Sequence, residues 1–208
     1  RDLGFFWATT IGLILAIVTN YIADYYTSTE RAPVKEITES TRTGPATTIL
    51  TGLGWGYEST VVAIIVIALA ISGAAIVPWS GLPGVGLTEI GMPIQLLAIF
   101  YGVALCGIGQ LTLTGNNIAM DTFGPVADNA NGIGEMAKLE PKARQTLADL
   151  DAVGNTTKAI TKCIAIASAV LAAVALFAAF YADYQLKVIN LIQWKVFVAF
   201  LIGGAVPF

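Results

Sequence analysis

Apolar residues in this chain come in long runs that no regularly spaced polar residue interrupts, and this property restricts the fold more than any motif does. Five runs can be placed, at about residues 4–25, 46–77, 93–120, 156–181 and 192–208. An α-helix needs roughly 20 consecutive apolar residues to cross the hydrocarbon of a bilayer. A helix on a soluble core would show a polar face, and a barrel strand would alternate with period two. Neither pattern is present. Charged residues make up 12% of the 208 residues and hydrophobic ones 56%, with a mean hydropathy of +0.74. A soluble domain carries about 25% charge. The expected fold is therefore an all-α, polytopic membrane protein with about five transmembrane helices.

The second and third runs exceed a single crossing, so they are expected to tilt or to continue into water as helix. For the third, an extension to about residue 138 is expected. The connections differ in charge. Arg31, Lys35 and Arg42 fall in the first, Lys138, Lys142 and Arg144 in the third, and no Lys or Arg lies between Arg42 and Lys138. The Gly- and Pro-rich second connection, Pro78 to Met92, separates these two basic regions. By the excess of basic residues in cytoplasmic loops, connections one and three are expected to face the cytoplasm. Lys187 and Lys195 in the fourth run mildly against this. The chain starts at Arg1 and stops within a hydrophobic stretch, and is expected to be an internal piece of one larger transmembrane domain.

Several chemistries are excluded or weakened. There is no His, which removes imidazole acid–base catalysis and most zinc sites. Cys106 and Cys163 both lie in apolar runs and are read as small packing residues. The net charge of -3, with no basic tract, gives no footprint for nucleic acid.

Charge is concentrated where it should be expensive. Asp121-Thr-Phe-Gly-Pro-Val-Ala-Asp128-Asn129-Ala-Asn131-Gly-Ile-Gly-Glu135 closes the third run, and Asp151-Ala-Val-Gly154-Asn155-Thr156-Thr157-Lys158 opens the fourth. Carboxylates at a membrane mouth point to a site for a cation or a cation-bound anion. The two blocks are expected to form a helical hairpin turning near Leu139-Glu140-Pro141, with Pro141 in the first turn of the new helix. A spacing of seven returns to within about 20° of the same helix face. Asn117, Asp121, Asp128 and Glu135 would then form one stripe if the helix runs through Gly124 and Pro125, which can bend it. Asp151, Asn155, Lys158 and Lys162 form another.

Carboxylate and amide oxygens without His or Cys suit Mg2+ rather than zinc or copper. Lys158 and Lys162 add point charges for phosphate oxygens or offset the carboxylates. Lys162 lies about a turn inside the apolar run, within snorkelling reach of the mouth. Plainer roles suit other residues. Asp149 and Glu140 read as helix ends, and Glu30, Glu36 and Glu39 as a mixed loop. Glu58 and Asn116 read as interhelical bonds, and Thr156 and Thr157 as hydroxyls satisfying carbonyls. The residues alone reach a carboxylate–amide–lysine cluster suited to Mg2+ with a phosphate compound.

Asp121-x-x-Gly124-Pro125-x-x-Asp128-Asn129-Ala-x-Gly132-Ile133-x-Glu135-Met136, followed by Leu150-Asp151-Ala-x-Gly154-Asn155-Thr156-Thr157, resembles the membrane-integral pyrophosphatases, ion pumps driven by pyrophosphate hydrolysis. Arg42-Thr-Gly44-Pro45-Ala46-Thr47 and Lys195-Val-Phe resemble them too. The resemblance implies a share of a sixteen-helix, two-ring bundle, usually a homodimer. It implies that Asp128 and Asn155 are catalytic and hold Mg2+ and the attacking water, that Asp121 flanks the pocket, and that Asp151 is a further metal candidate. Lys158 with Thr161 stands where K+-independent members carry Lys and Thr, implying a K+-independent proton pump. A tethered ammonium can replace a monovalent cation. Asn131 stands where Gly is usual, which touches only local turn geometry. The family's Asp-x-x-x-Asp motif and gate residues belong to helices absent here, so these residues alone are not expected to hydrolyse or pump. The implied partners are pyrophosphate, protons and the bilayer of a bacterial or archaeal cell membrane, in preference to a vacuolar-type one. The alternatives are a secondary cation transporter with an Asp/Asn ion site and no hydrolysis, and a packing subunit without catalysis.

Overall fold

The computed structural model of the chain describes residues 3–79, 93–184 and 190–206. Its elements are α1 (Gly4–Thr27), α2 (Ala32–Ser40), α3 (Pro45–Trp79), α4 (Ile94–Gln110), a 3-10 turn (Leu111–Leu113), α5 (Thr114–Met136), α6 (Pro141–Asp183) and α7 (Trp194–Ala205). Four described helical stretches are long and apolar enough to cross a membrane. The chain is an all-α, multi-pass membrane protein. At 12 residues, α7 is shorter than a crossing. Most of the second connection lies outside the described residues.

Two departures from the expected segments matter for the site. The third run is one path with a joint: α4 ends at Gln110, and the 3-10 turn leads into α5. At Gly124 and Pro125, residues able to bend the stripe, α5 remains continuous. The fourth run begins well before its apolar part, at Pro141, and continues for 43 residues. At 1.5 Å per residue α6 is about 65 Å long, twice the hydrocarbon thickness. Its first turns therefore reach past the membrane, as does α5 beside it.

Inside a bilayer, lipid competes with protein for apolar contact, so helices associate through close packing and polar bonds. The core follows that rule and is built largely of small residues from α1, α3, α4 and α6, among them Ala8, Ala70, Ala74, Cys106 and Ala167, closed by Leu171. The tightest approach is between α1 and α4. A Cβ on Gly12 would collide with the Cys106 carbonyl, and one on Gly109 with the Thr9 carbonyl. The two backbones touch there because neither residue has a side chain. Thr19, fully buried on α1, donates its hydroxyl to Leu15 O at 2.9 Å or Ala16 O at 3.0 Å. In this way a polar side chain is accommodated without a distant partner.

The first connection is pinned at its ends. Arg31 pairs with Asp24 at 3.3 Å, and Trp55 of α3 donates its indole N–H to Glu36 of α2 at 3.1 Å. Gly44, with φ +127°, turns the chain into α3, whose first residue is Pro45. The α5–α6 hairpin closes with a Schellman motif. Leu139 N–H reaches Gly134 O at 3.2 Å and Lys138 N–H reaches Glu135 O at 3.0 Å. Lys138 has φ 52°, at the position where glycine is usual. Glu140 is the N-cap of α6 and Pro141 occupies its first turn, where its missing N–H costs nothing.

Candidate functional site

The hairpin brings α5 and α6 into their most extensive contact, and small residues set how close they come. A Cβ on Gly154 would lie 3.2 Å from the Gly124 Cα and 3.3 Å from the Ala127 Cβ. Gly124 is closer still to a side chain: a Cβ there would lie 2.5 Å from Cε and 2.6 Å from Cγ of Lys158. The stem of Lys158 therefore lies across the bare backbone of α5. That path carries its ammonium to 3.9 Å from Asp128 Oδ2. The pair is partly solvated, and by itself contributes little to stability. Its importance is placement.

One turn deeper, Thr161 is buried and its hydroxyl lies 3.2 Å from Asp121 Oδ1 and 2.9 Å from the Lys158 carbonyl. Pro125 cannot donate to the Asp121 carbonyl four residues back. Asp121, Lys158, Thr161, Lys162 and Asn117 line one cavity of about 540 Å³ between the two helices. It holds one carboxylate and two lysines. The charge character suits an anion held with a cation.

A second cluster lies nearer the turn. Asp151 accepts from the Asn131 amide at 3.0 Å and from the Asn155 amide at 3.3 Å, one on each carboxylate oxygen. Asn155 thereby turns its NH2 toward Asp151, which leaves its amide oxygen for another ligand. Asp128 offers one oxygen to Lys158 and is well exposed. Glu135, expected on the same stripe, pairs with Arg144 at 3.8 Å.

Among the described residues no three His, Cys, Asp or Glu side chains converge as a metal cage. The donor set nonetheless fits Mg2+, which usually takes one or two protein carboxylates and completes its shell with water and phosphate oxygens. The exposed Asp128 carboxylate and the oriented Asn155 oxygen are the most open donors. Asp151 accepts one amide on each oxygen and Asp121 accepts Thr161 on Oδ1, which leaves lone pairs on both for an ion.

All seven residues singled out from the sequence lie along the facing sides of this hairpin, in two groups. Asp121, Lys158, Thr161 and Lys162 share the deeper cavity, with Asp128 linked through Lys158. Asp151 and Asn155 form the outer pair. Two contributors were missed. Asn131, assigned only to turn geometry, sits inside α5 and bonds Asp151, with its own Oδ1 buried and unpartnered. Its spacing of three from Asp128, on one helix face, was the available signal. Gly124 was read only as a possible bend, whereas it supplies the track for Lys158.

The residues given plainer roles behave accordingly. Glu58 accepts from Tyr26 at 3.0 Å, and Thr157 bonds Gly154 O at 2.8 Å. Thr156 reaches Thr27 O at 3.3 Å, tying α6 to the end of α1. Asp149 departs from its expected place at a helix end: α6 already begins at Pro141, so Asp149 lies within it and accepts from Gln145 one turn back at 2.8 Å.

A family profile described as inorganic H+ pyrophosphatase matches residues 1–208. A K(+)-insensitive pyrophosphate-energized proton pump of Chloroflexus aurantiacus is 49% identical over 98% of this chain and 27% of its own length. A protein of the same description from Methanosarcina mazei is 40% identical over 100% of this chain and 29% of its length. A putative K(+)-stimulated pyrophosphate-energized sodium pump of Clostridium tetani is 36% identical over 98% and 28%. The chain thus spans between a quarter and a third of the length of these curated relatives.

Proposed function

Since the chain belongs to the inorganic H+ pyrophosphatase family, we propose that it is the part of a proton pump that supplies one wall of a pyrophosphate-hydrolysing pocket. The whole protein would couple conversion of pyrophosphate to two phosphates to proton movement across the membrane, without K+. The observation that carries this reading is the position of Lys158. Its stem is confined against Gly124, and its ammonium stands beside Asp128 at the edge of a cavity that also holds Asp121, Thr161 and Lys162. A fixed positive charge there serves the purpose that a bound monovalent cation would otherwise serve. Relatives described as K(+)-insensitive proton pumps support the same reading.

In this proposal Mg2+ is the cofactor, and Asp128 and Asn155 hold it. Bound Mg2+ neutralises pyrophosphate oxygens and offsets charge on the leaving phosphate. The chain's own residues do the positioning. Asp151 turns the Asn155 amide so that its oxygen faces away from the carboxylate. Thr161 holds Asp121 at the cavity wall. Lys158 and Lys162 attract the phosphate oxygens and keep the local charge near balance. The remaining walls, the gate, the other helices of a sixteen-helix two-ring bundle and a homodimer partner belong to the longer protein. The hairpin faces the cytoplasm of a bacterial or archaeal cell.

The test uses the full-length protein. Asp128→Ala and Asn155→Ala are expected to abolish Mg2+-dependent pyrophosphate hydrolysis, and near-normal turnover in folded protein would remove them from the pocket. Lys158→Ala is expected to make hydrolysis rise with added K+; an unchanged K+ response rules out the tethered cation. Pyrophosphate added to inside-out vesicles is expected to acidify the lumen. Accumulation of Na+ alone would overturn the proton assignment.

A further inference from the structure

Asn131, half-buried on α5, is satisfied at one end only. Its Nδ2 donates across the hairpin to Asp151 Oδ2 at 3.0 Å, while its own Oδ1 is buried without a partner. An ionised carboxylate accepts hydrogen bonds and never donates them, so the sense of the amide is fixed. Turning it over would aim oxygen at oxygen. The bond to Asp151 is therefore made although it leaves a buried acceptor unsatisfied, an unfavourable state that a small apolar residue at this position would avoid.

Packing of the two helices does not require that bond. On one side of it Gly154 lies against Gly124 and Ala127, and on the other a Cβ on Gly134 would collide with the Leu147 side chain. These contacts already set the spacing of α5 and α6 on both sides. What the Asn131 bond adds is the direction of a carboxylate. Asp151 lies four residues before Asn155 on α6 and takes the Asn155 amide on its Oδ1 at 3.3 Å. Asn155 is exposed, and Asp151 is its only side-chain partner among the described residues. Without Asn131, Asp151 would be held only by a residue of its own helix, and the two side chains could turn together into water. The Asn155 amide could then show a cation its NH2, which repels it, instead of its oxygen.

We propose that Asn131 is a positioning residue for Mg2+: acting across the hairpin through Asp151, it keeps the Asn155 amide oxygen turned toward the ion and so sets the affinity of the site for the metal. Loss of a group that orients a metal ligand typically weakens metal binding by about 10–100-fold. This role rests on Asp128 and Asn155 being the residues that hold Mg2+, and Asn155→Ala separates failure of the one from failure of the other.

The test titrates the full-length protein in detergent with MgCl2, without pyrophosphate. The rise of the thermal unfolding midpoint reports the Mg2+ concentration at half effect with no turnover involved. Asn131→Ala is expected to need about 10-fold more Mg2+. Asn131→Asp, which sets two carboxylates face to face, is expected to need at least as much. Combining Asn131→Asp with Asp151→Asn exchanges acceptor and donor at unchanged net charge, and the amide oxygen at position 151 can still accept from Asn155. The Mg2+ requirement of this double variant is expected to return toward wild type, where independent defects would add. A residue that only packed the hairpin would lower the midpoint in EDTA and leave the Mg2+ requirement alone. An unchanged or lower requirement in either single variant overturns the proposal, as does a double variant no better than Asn131→Asp. Should Asn131→Asp fail to fold, Asn131→Ala decides. If Asn155→Ala leaves the Mg2+ requirement unchanged, Asn155 does not hold the ion and both assignments fall. If it raises the requirement and Asn131→Ala does not, only the role of Asn131 is lost.

Discussion

Replacing Gly124 with alanine tests how the site is assembled, because its predicted effect changes sign with the residue at position 158. The new Cβ would stand 2.5, 2.6 and 2.9 Å from Cε, Cγ and Cδ of Lys158. Carbon atoms in contact prefer about 3.5–4.0 Å, so the lysine stem must retreat by about 1 Å. Overpacking of this kind costs about 1–3 kcal/mol. Against it, alanine gains about 0.5–1 kcal/mol over glycine within a helix. The net expectation for Gly124→Ala is destabilisation by about 0–2.5 kcal/mol. With Lys158→Ala the obstructing carbons are gone and only the helical gain remains, so the same substitution then stabilises by about 0.5–1 kcal/mol. The coupling in a double-mutant cycle is thus about 1–3 kcal/mol. Equilibrium unfolding of the full-length protein in mixed micelles measures all four corners. A coupling below about 0.5 kcal/mol, within ordinary additivity, would refute the claim that Gly124 holds the lysine in place. Activity gives a second reading. Because the retreat moves the ammonium away from Asp128, Gly124→Ala alone is expected to acquire K+ stimulation of hydrolysis.

Two further substitutions test the frame around the site. Gly12→Ala drives a Cβ into the Cys106 backbone and must part α1 from α4. It is expected to cost more than about 3 kcal/mol, beyond ordinary overpacking, visible as loss of folded protein in detergent, and a neutral result means the helices are not in contact there. Lys138→Gly relieves the left-handed φ of 52° at the hairpin turn and is expected to stabilise by up to about 1 kcal/mol. A lowered unfolding midpoint would contradict the Schellman geometry.

Much of the site was readable before any coordinates because its residues are close in sequence and its helices regular. Asp128 and Asn155 announce themselves as polar residues fused to apolar runs at the mouth of the membrane. Their spacing places them on defined faces once the segments are taken as helices. What stayed illegible was which partner each group takes. Asp151 is written as one more carboxylate; its bond from Asn155 follows from a spacing of four within α6, but only the approach of α5 shows that Asn131 occupies the other oxygen. Pro125 looked like the place for a bend, yet the helix passes through it unbroken and the joint forms at Leu111–Leu113. A proline removes one backbone bond from a helix. Beside that position α5 lies close against Gly154 of α6.

The sequence by itself determined that this chain crosses a membrane as helices and that its charge is gathered at one hairpin. Both follow from local rules: hydrocarbon must be spanned by apolar helix with its backbone bonds satisfied internally, and unpaired charge cannot remain there without a partner. The tertiary structure decided the rest. The distance between two helices is set by residues far apart in the chain, Gly124 against Lys158 and Gly154, and Gly12 against Cys106. That distance selects Asp128 as the carboxylate beside the ammonium, brings the Asn131 amide onto Asp151, and seals the Gln110 side chain from solvent.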